Sequence, residues 1–269
     1  MNLANKASRI GRQNPAVNLE SLQGRLIFGK TTRVRALQLG AYAGLYGKTA
    51  HRLERPDGTV LEGWAATPVD GRVDGVVLYF GGRNENVAWV PDMASFAPRQ
   101  AIYAFNYRGF GQSTGRASER RAKDDARAFH DFVARREASA NLTLVGRSLG
   151  TGVALWLARD RAAQQLVLLS PFESARHVVR TRRLGWLAAL LMTQRFDCAD
   201  LAASHAGRTL VLLAEHDSFV PHDCSHRLCA RLPNEPQLQV VGGTTHQSLP
   251  RSGGTQRAIA QFLAAGGCR

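Results

Sequence analysis

Lysine is nearly missing from this 269-residue chain. It occurs only at Lys6, Lys30, Lys48 and Lys123, although basic residues number 35 against 21 acidic ones. The formal charge of +14 is therefore carried almost wholly by arginine. These arginines are scattered through an alanine- and glycine-rich sequence. No basic helix or nucleic-acid motif gathers them into the concentrated footprint that attracts phosphate backbones, so nucleic acid is not expected as a partner. The densest group is Arg180, Arg182 and Arg183 with Arg176 nearby, which reads as solvated surface. It leaves peripheral contact with an anionic membrane surface, or with an acidic substrate, open.

Cysteine is also scarce. Cys198, Cys224, Cys229 and Cys268 are too few and too unevenly spaced for a disulfide framework, which points to a reducing compartment and a cytoplasmic location. His222, Cys224, His226 and Cys229 are metal-ligand types, but their segment reads as one helix that aims them in different directions, so no metal is expected. No cofactor is expected either: Gly109-x-Gly111 and Gly150-x-Gly152 both lack the rest of a dinucleotide fingerprint and its acidic ribose partner. Long apolar runs are missing too. The first twelve residues have no signal-peptide core, and the second residue is not the glycine that myristoylation requires. The longest apolar run, Leu184 to Met192, is too short to span a bilayer, so no transmembrane segment is expected.

What is present suits one domain, since 44% apolar residues can supply a sizeable core at this length. Residues 1–45 show no firm period and read as an arm with short helices, leaving 46–269 as the folded domain. From His51 to Thr67 two extended segments flank Pro56-Asp57-Gly58, a turn signal, and predict an antiparallel hairpin. Short apolar runs then alternate with helical stretches: Gly75 to Phe80, Ala101 to Asn106, Leu142 to Val145, Gln165 to Ser170, Thr209 to Ala214 and Gln237 to Val241. Runs of this kind suit strands buried on both faces of a parallel sheet. Between the second and third, Ser118 is a plausible N-cap, and Ala122, Ala126, Phe129, Phe132 and Val133 mark one apolar stripe of a crossover helix. The stretch 172–204 is too long for an ordinary connection and predicts a short cap. Within it, Leu184 to Met192 with Trp186 would suit the lining of an acyl or aromatic pocket.

The chemistry points to Ser148. Leu142-Thr-Leu-Val-Gly146-Arg-Ser148-Leu-Gly150-Thr-Gly152 places Gly-x-Ser-x-Gly between a strand and a small-residue helix start, the setting of a nucleophile elbow. The string alone is moderate evidence and gains from this context. A serine hydroxyl is a weak nucleophile that needs a base, itself oriented by an acid. Asp217 follows a buried strand in Ala214-Glu-His-Asp217-Ser-Phe-Val-Pro221, with Glu173 as its competitor. His246 follows the last strand in Gly242-Gly-Thr-Thr-His246. Two N–H donors must hold the developing oxyanion, and the expected ones are the amides of Leu149, after the nucleophile, and Arg83, in Gly81-Gly82-Arg83-Asn84-Glu85-Asn86, with Asn84 as second choice.

Leu78-Tyr-Phe-Gly-Gly-Arg-Asn-Glu-Asn-Val87, Asn106-Tyr-Arg-Gly-Phe-Gly-Gln-Ser-Thr-Gly115, Gly146-Arg-Ser-Leu-Gly-Thr-Gly152, Ser170-Pro-Phe172 and Asp217-Ser-Phe-Val-Pro221 together resemble the Bem46-like branch of the α/β-hydrolases, from about residue 50 onward. Gly81 departs from relatives that carry histidine there. The resemblance implies the α/β-hydrolase fold: a mostly parallel central sheet with an N-terminal antiparallel hairpin, helices on both faces and a short cap. It also implies a Ser148, Asp217, His246 triad, with Arg108 as scaffold. The implied activity is a serine hydrolase cleaving an ester, thioester or amide of a small-molecule or acyl-protein substrate. Two other readings stand beside it: a catalytically silent binding protein of this fold, and a peptidase or acyltransferase on the same triad.

Overall fold

A computed structural model describes residues 27–29, 45–137, 141–161, 163–180 and 196–266. Most of the expected N-terminal arm, the apolar run Leu184 to Met192, Arg182, Arg183 and Cys268 lie outside these residues.

The predicted hairpin forms from β1 (Tyr46–Glu54) and β2 (Val60–Pro68), antiparallel with Glu54 opposite Val60. Gly58 closes its turn at φ 75°, a conformation that glycine adopts without a steric penalty, and donates to Arg55 O at 2.9 Å. The six apolar runs become β3 (Gly75–Phe80), β4 (Gln100–Phe105), β5 (Asn141–Arg147), β6 (Gln165–Leu169), β7 (Arg208–His216) and β8 (Gln237–Thr245). They form one eight-stranded sheet in the order β1-β2-β4-β3-β5-β6-β7-β8. β2 meets β4 antiparallel, and every later pairing is parallel.

Parallel strands need crossovers, and helices supply them on both faces. α1 (Glu119–Ala134) starts where the sequence suggests, with Ser118 Oγ accepting from Arg121 N at 3.4 Å. α2 (Gly150–Arg161) follows β5. α3 (Ala175–Arg180) and α4 (Cys198–Ala203) separate β6 from β7. α5 (His222–Cys229) lies between β7 and β8, and α6 (Gly253–Ala264) closes the chain.

Because successive side chains point to opposite faces, β3 divides its residues between two cores. Val76, Leu78 and Phe80 join Phe129 and Phe132 of α1 and Val153 and Leu157 of α2 on one side. Val77 and Tyr79 join Trp89 and Val90 of a 3-10 segment (Val87–Phe96) and Ile259 and Phe262 of α6 on the other. Phe105 stacks on Phe129 with centroids 4.3 Å apart. Burying one such ring contributes about 1.5–3 kcal/mol.

The Asn106 to Gly115 motif forms the expected structural turn, with Phe110 N donating to Tyr107 O at 3.0 Å. Arg108 is buried within it and clasps Asp125 of α1 through Nε at 2.7 Å and Nη2 at 2.9 Å, and it also pairs with Asp57. Between β6 and β7, Ser174 bridges Asp197, and Cys198 N donates to Glu173 O at 2.8 Å.

Candidate active site

The topology explains why distant motifs share one rim. The chain passes from β3 to β4 on one side and then returns to β5 on the other, so strand order reverses at the β3/β5 boundary. Ligand crevices in open α/β sheets form at such a switch, outside the carboxyl ends of the strands. The loop after β3 holds Gly81 to Asn86, and the turn after β5 holds Ser148.

The strands run further than the apolar runs suggest. β5 ends at Arg147, β7 at His216 and β8 at Thr245, so Ser148, Asp217 and His246 are each the first residue beyond a strand. Such placement limits their freedom, because the preceding residue is held in the sheet.

Ser148 has φ 48°, in the left-handed region that costs a non-glycine residue on the order of 1–3 kcal/mol. The turn is held from both ends: Ser148 N donates to Leu169 O at 2.8 Å, and Thr151 N donates to Ser148 O at 2.9 Å. Its glycines are steric necessities. A Cβ at Gly146 would lie 2.8 Å from Gly150 O, and one at Gly150 would lie 2.1 Å from Phe80 O.

His246 Nδ1 stands 2.8 Å from Asp217 Oδ2 and 3.1 Å from Oδ1, and both side chains are largely buried. Asp217 Oδ1 also accepts from the amides of Phe219 at 2.9 Å and Val220 at 2.8 Å. Burial pushes the Asp217 carboxyl upward, but the hydrogen bond and charge of His246, followed by the Val220 amide, outweigh it. The net result lowers the group from 3.8 to about 2, so it is ionised at neutral pH. The Phe219 ring covers the imidazole with centroids 5.3 Å apart.

Among the described residues no hydrogen bond joins Ser148 Oγ to His246. What joins them is Arg147, whose Nη2 donates to His246 O at 2.9 Å.

The competitors are placed elsewhere. Glu173 accepts from Arg227 Nε at 2.8 Å and does not meet His246. His222 is bound to Ala214 O at 2.7 Å, His130 meets Asp131, and His216 is exposed beside Glu215. His226 is exposed on α5, His51 packs against Phe132, and His205 is buried. Of the suspected metal ligands, only Cys224 enters a cluster, and its companions are Glu173 and His177, not His226 or Cys229. Arg227, bonded to Glu173 and 2.8 Å from His177 Nε2, supplies the positive charge there.

The loop Gly81 to Asn86 corrects one expectation and adds two residues. Asn84, the second-choice oxyanion donor, spends its N–H on Phe28 O at 3.0 Å and so does not face the site. Phe28 belongs to the arm, where the sequence shows no period. The additions are Glu85 and Arg147, paired at 2.9 Å with both side chains mostly buried. Glu85 also accepts from Gly82 N at 2.6 Å, Tyr79 OH at 3.1 Å and Trp89 Nε1 at 3.2 Å. Burial and the Glu85 charge push the Tyr79 phenol well upward, so it remains a donor. Burial works against the charge on Arg147, but Glu85 more than compensates and raises its affinity for the proton. The only sequence signal was a long cation inside Gly-x-Ser-x-Gly and an acid in a glycine loop.

Residues 71–196 match the family described as serine aminopeptidase, S33. Over 199 residues the chain is 30% identical to the uncharacterized protein Rv2307c of Mycobacterium tuberculosis, covering 72% of this chain and 70% of that protein. It is also 30% identical over 145 residues to the lysophosphatidylserine lipase ABHD12 of Danio rerio, covering 47% of this chain but 38% of the lipase. Among solved structures, Est1E from Butyrivibrio proteoclasticus, which holds ferulic acid, superposes with a TM-score of 0.64 at 17% identity, over 80% of this chain and 98% of that one. At that identity the likeness speaks for the fold alone. The class defined by the fold is that of the α/β-hydrolase architecture, a mostly parallel sheet with an antiparallel hairpin at one edge. The chain belongs to the α/β-hydrolase superfamily. Among the described residues, no helix is long and apolar enough to cross a membrane.

Proposed function

We propose that this chain is a serine hydrolase of the Bem46-like branch that cleaves a carboxylic ester or thioester through an acyl-enzyme on Ser148. The observation that carries the reading is the buried His246 to Asp217 pair, joined through Arg147 to the strained turn that presents Ser148. His246 takes the proton from Ser148 Oγ as the oxygen attacks the acyl carbonyl carbon. Asp217 holds the ring by Nδ1 and stabilises the imidazolium. The amides of Leu149 and Arg83 receive the oxyanion. His246 then gives its proton to the departing alcohol or thiol, and water, activated by the same ring, releases the acid and restores Ser148.

The lipase activity named for the Danio rerio relative supports an ester or thioester. A fluorophosphonate probe tests the reading, because it phosphonylates only a serine that a base has activated. Labelling of the folded wild type that vanishes in Ser148→Ala is expected. A folded wild type that takes up no label would indicate the silent binding protein instead.

A further inference from the structure

The three loops that must cooperate leave different strands. The Gly81 to Asn86 loop follows β3, Ser148 follows β5 and His246 follows β8, with β6 and β7 lying between β5 and β8. Sheet hydrogen bonds fix neighbouring strands, but no ladder bond reaches from the β5 turn to the β8 turn. A side chain must bridge that distance, and Arg147 does so. It lies on the same face as Val145, the face that also carries Tyr79 and Trp89. One arm of its guanidinium pairs Nη1 with Glu85 Oε2 at 2.9 Å, while the other gives Nη2 to His246 O at 2.9 Å. Glu85 carries the link into the oxyanion loop by accepting Gly82 N at 2.6 Å, and Glu85 N returns to Gly82 O at 3.4 Å to close the turn. Tyr79 and Trp89 hold the second carboxylate oxygen, so Glu85 cannot swing to follow a displaced partner.

We infer that Arg147 and Glu85 form a positioning clamp that sets the oxyanion loop and the base at working distance from the nucleophile. This inference rests on Ser148 being that nucleophile. Neither residue touches the reacting atoms. Each acts through a backbone group, Arg147 through the His246 carbonyl and Glu85 through the Gly82 amide. A planar guanidinium can serve two acceptors on separate loops, whereas an ammonium is a point charge that neutralises Glu85 without also spanning to His246 O. Arg147→Lys therefore separates packing and charge from placement.

The test measures the first-order labelling rate at saturating fluorophosphonate, kcat and KM on an acyl ester, and the melting temperature of each variant. Arg147→Lys is expected to melt close to the wild type yet label and turn over about 10- to 100-fold more slowly, with KM nearly unchanged, because a shift of about 1 Å in catalytic geometry costs on that order. Glu85→Gln, which keeps shape and loses charge, is expected to fall in the same range. The double variant should be no slower than the slower single one, since both remove one linkage. If both folded single variants label as fast as the wild type, the clamp is overturned and the Ser148 reading stands. Absence of Ser148-dependent labelling in the folded wild type overturns both.

Discussion

Among the described residues, Arg108 is buried and Arg147 mostly so, each faces a carboxylate, and their surroundings differ instructively. Arg108 gives Asp125 a bidentate contact, reaches Thr59 Oγ1 at 2.9 Å with its remaining arm and pairs with Asp57. Arg55 joins the cluster by donating to Asp125 Oδ1 at 3.1 Å. Two arginines and two aspartates thus balance one another between the hairpin turn, the loop after β4 and α1. Arg147 has one carboxylate partner and a backbone carbonyl, and its Nε is buried with no hydrogen-bond partner among the described residues. A balanced cluster stitches elements that need only stay together. An incompletely satisfied cation persists where loops must be held in one particular arrangement, and buried unsatisfied groups call for such an account.

The comparison yields measurable differences. The largest concerns the site itself: Asp217→Asn should lower kcat by about 10⁴-fold with little change in fold, because the ring loses the acceptor that fixes its tautomer. A variant within tenfold of the wild type would show that another group orients His246. Next, removing the scaffold cluster should affect stability and spare chemistry. Asp125→Ala leaves Arg108 buried without its bidentate partner and should cost about 3–5 kcal/mol in denaturant unfolding, with specific activity of the folded fraction unchanged. A loss of kcat in that variant would erase the distinction between the two arginines.

The smallest effect is on acid stability. A carboxyl depressed in the folded state stabilises the protein above its ordinary value and loses that contribution as pH falls through its folded value. For Asp217 the window runs from 3.8 down to about 2. Unfolding measured across it should show the wild type losing stability that Asp217→Asn never had, and parallel curves would detach Asp217 from the His246 contact.

Much of the fold was readable because parallel strands buried on both faces leave continuous apolar runs, and all six such runs became strands. The stripe behind Ser118 became α1 for an equally local reason. The positions of the candidate residues were readable, since Ser148, Asp217 and His246 each stand directly after a strand. Strand ends were misjudged by two to four residues because Gly146-Arg147, Glu215-His216 and Gly242 to Thr245 are polar or small, and ladder pairing with neighbours extends the strands through them regardless of side chain. Phe28 was invisible because its role depends on packing against Tyr107 and Phe196, far away in sequence.

By itself the sequence determined what local pattern can carry: a hairpin followed by alternating strands and helices, an elbow whose glycines admit a strained serine, and an acid and a base after later strands. The tertiary structure alone decided which groups meet. It chose Asp217 over Glu173 for His246, spent the Asn84 amide on Phe28, and brought Glu85 and His246 to opposite arms of Arg147. Those contacts join residues up to 99 positions apart, and only the order of strands in the sheet brings them together.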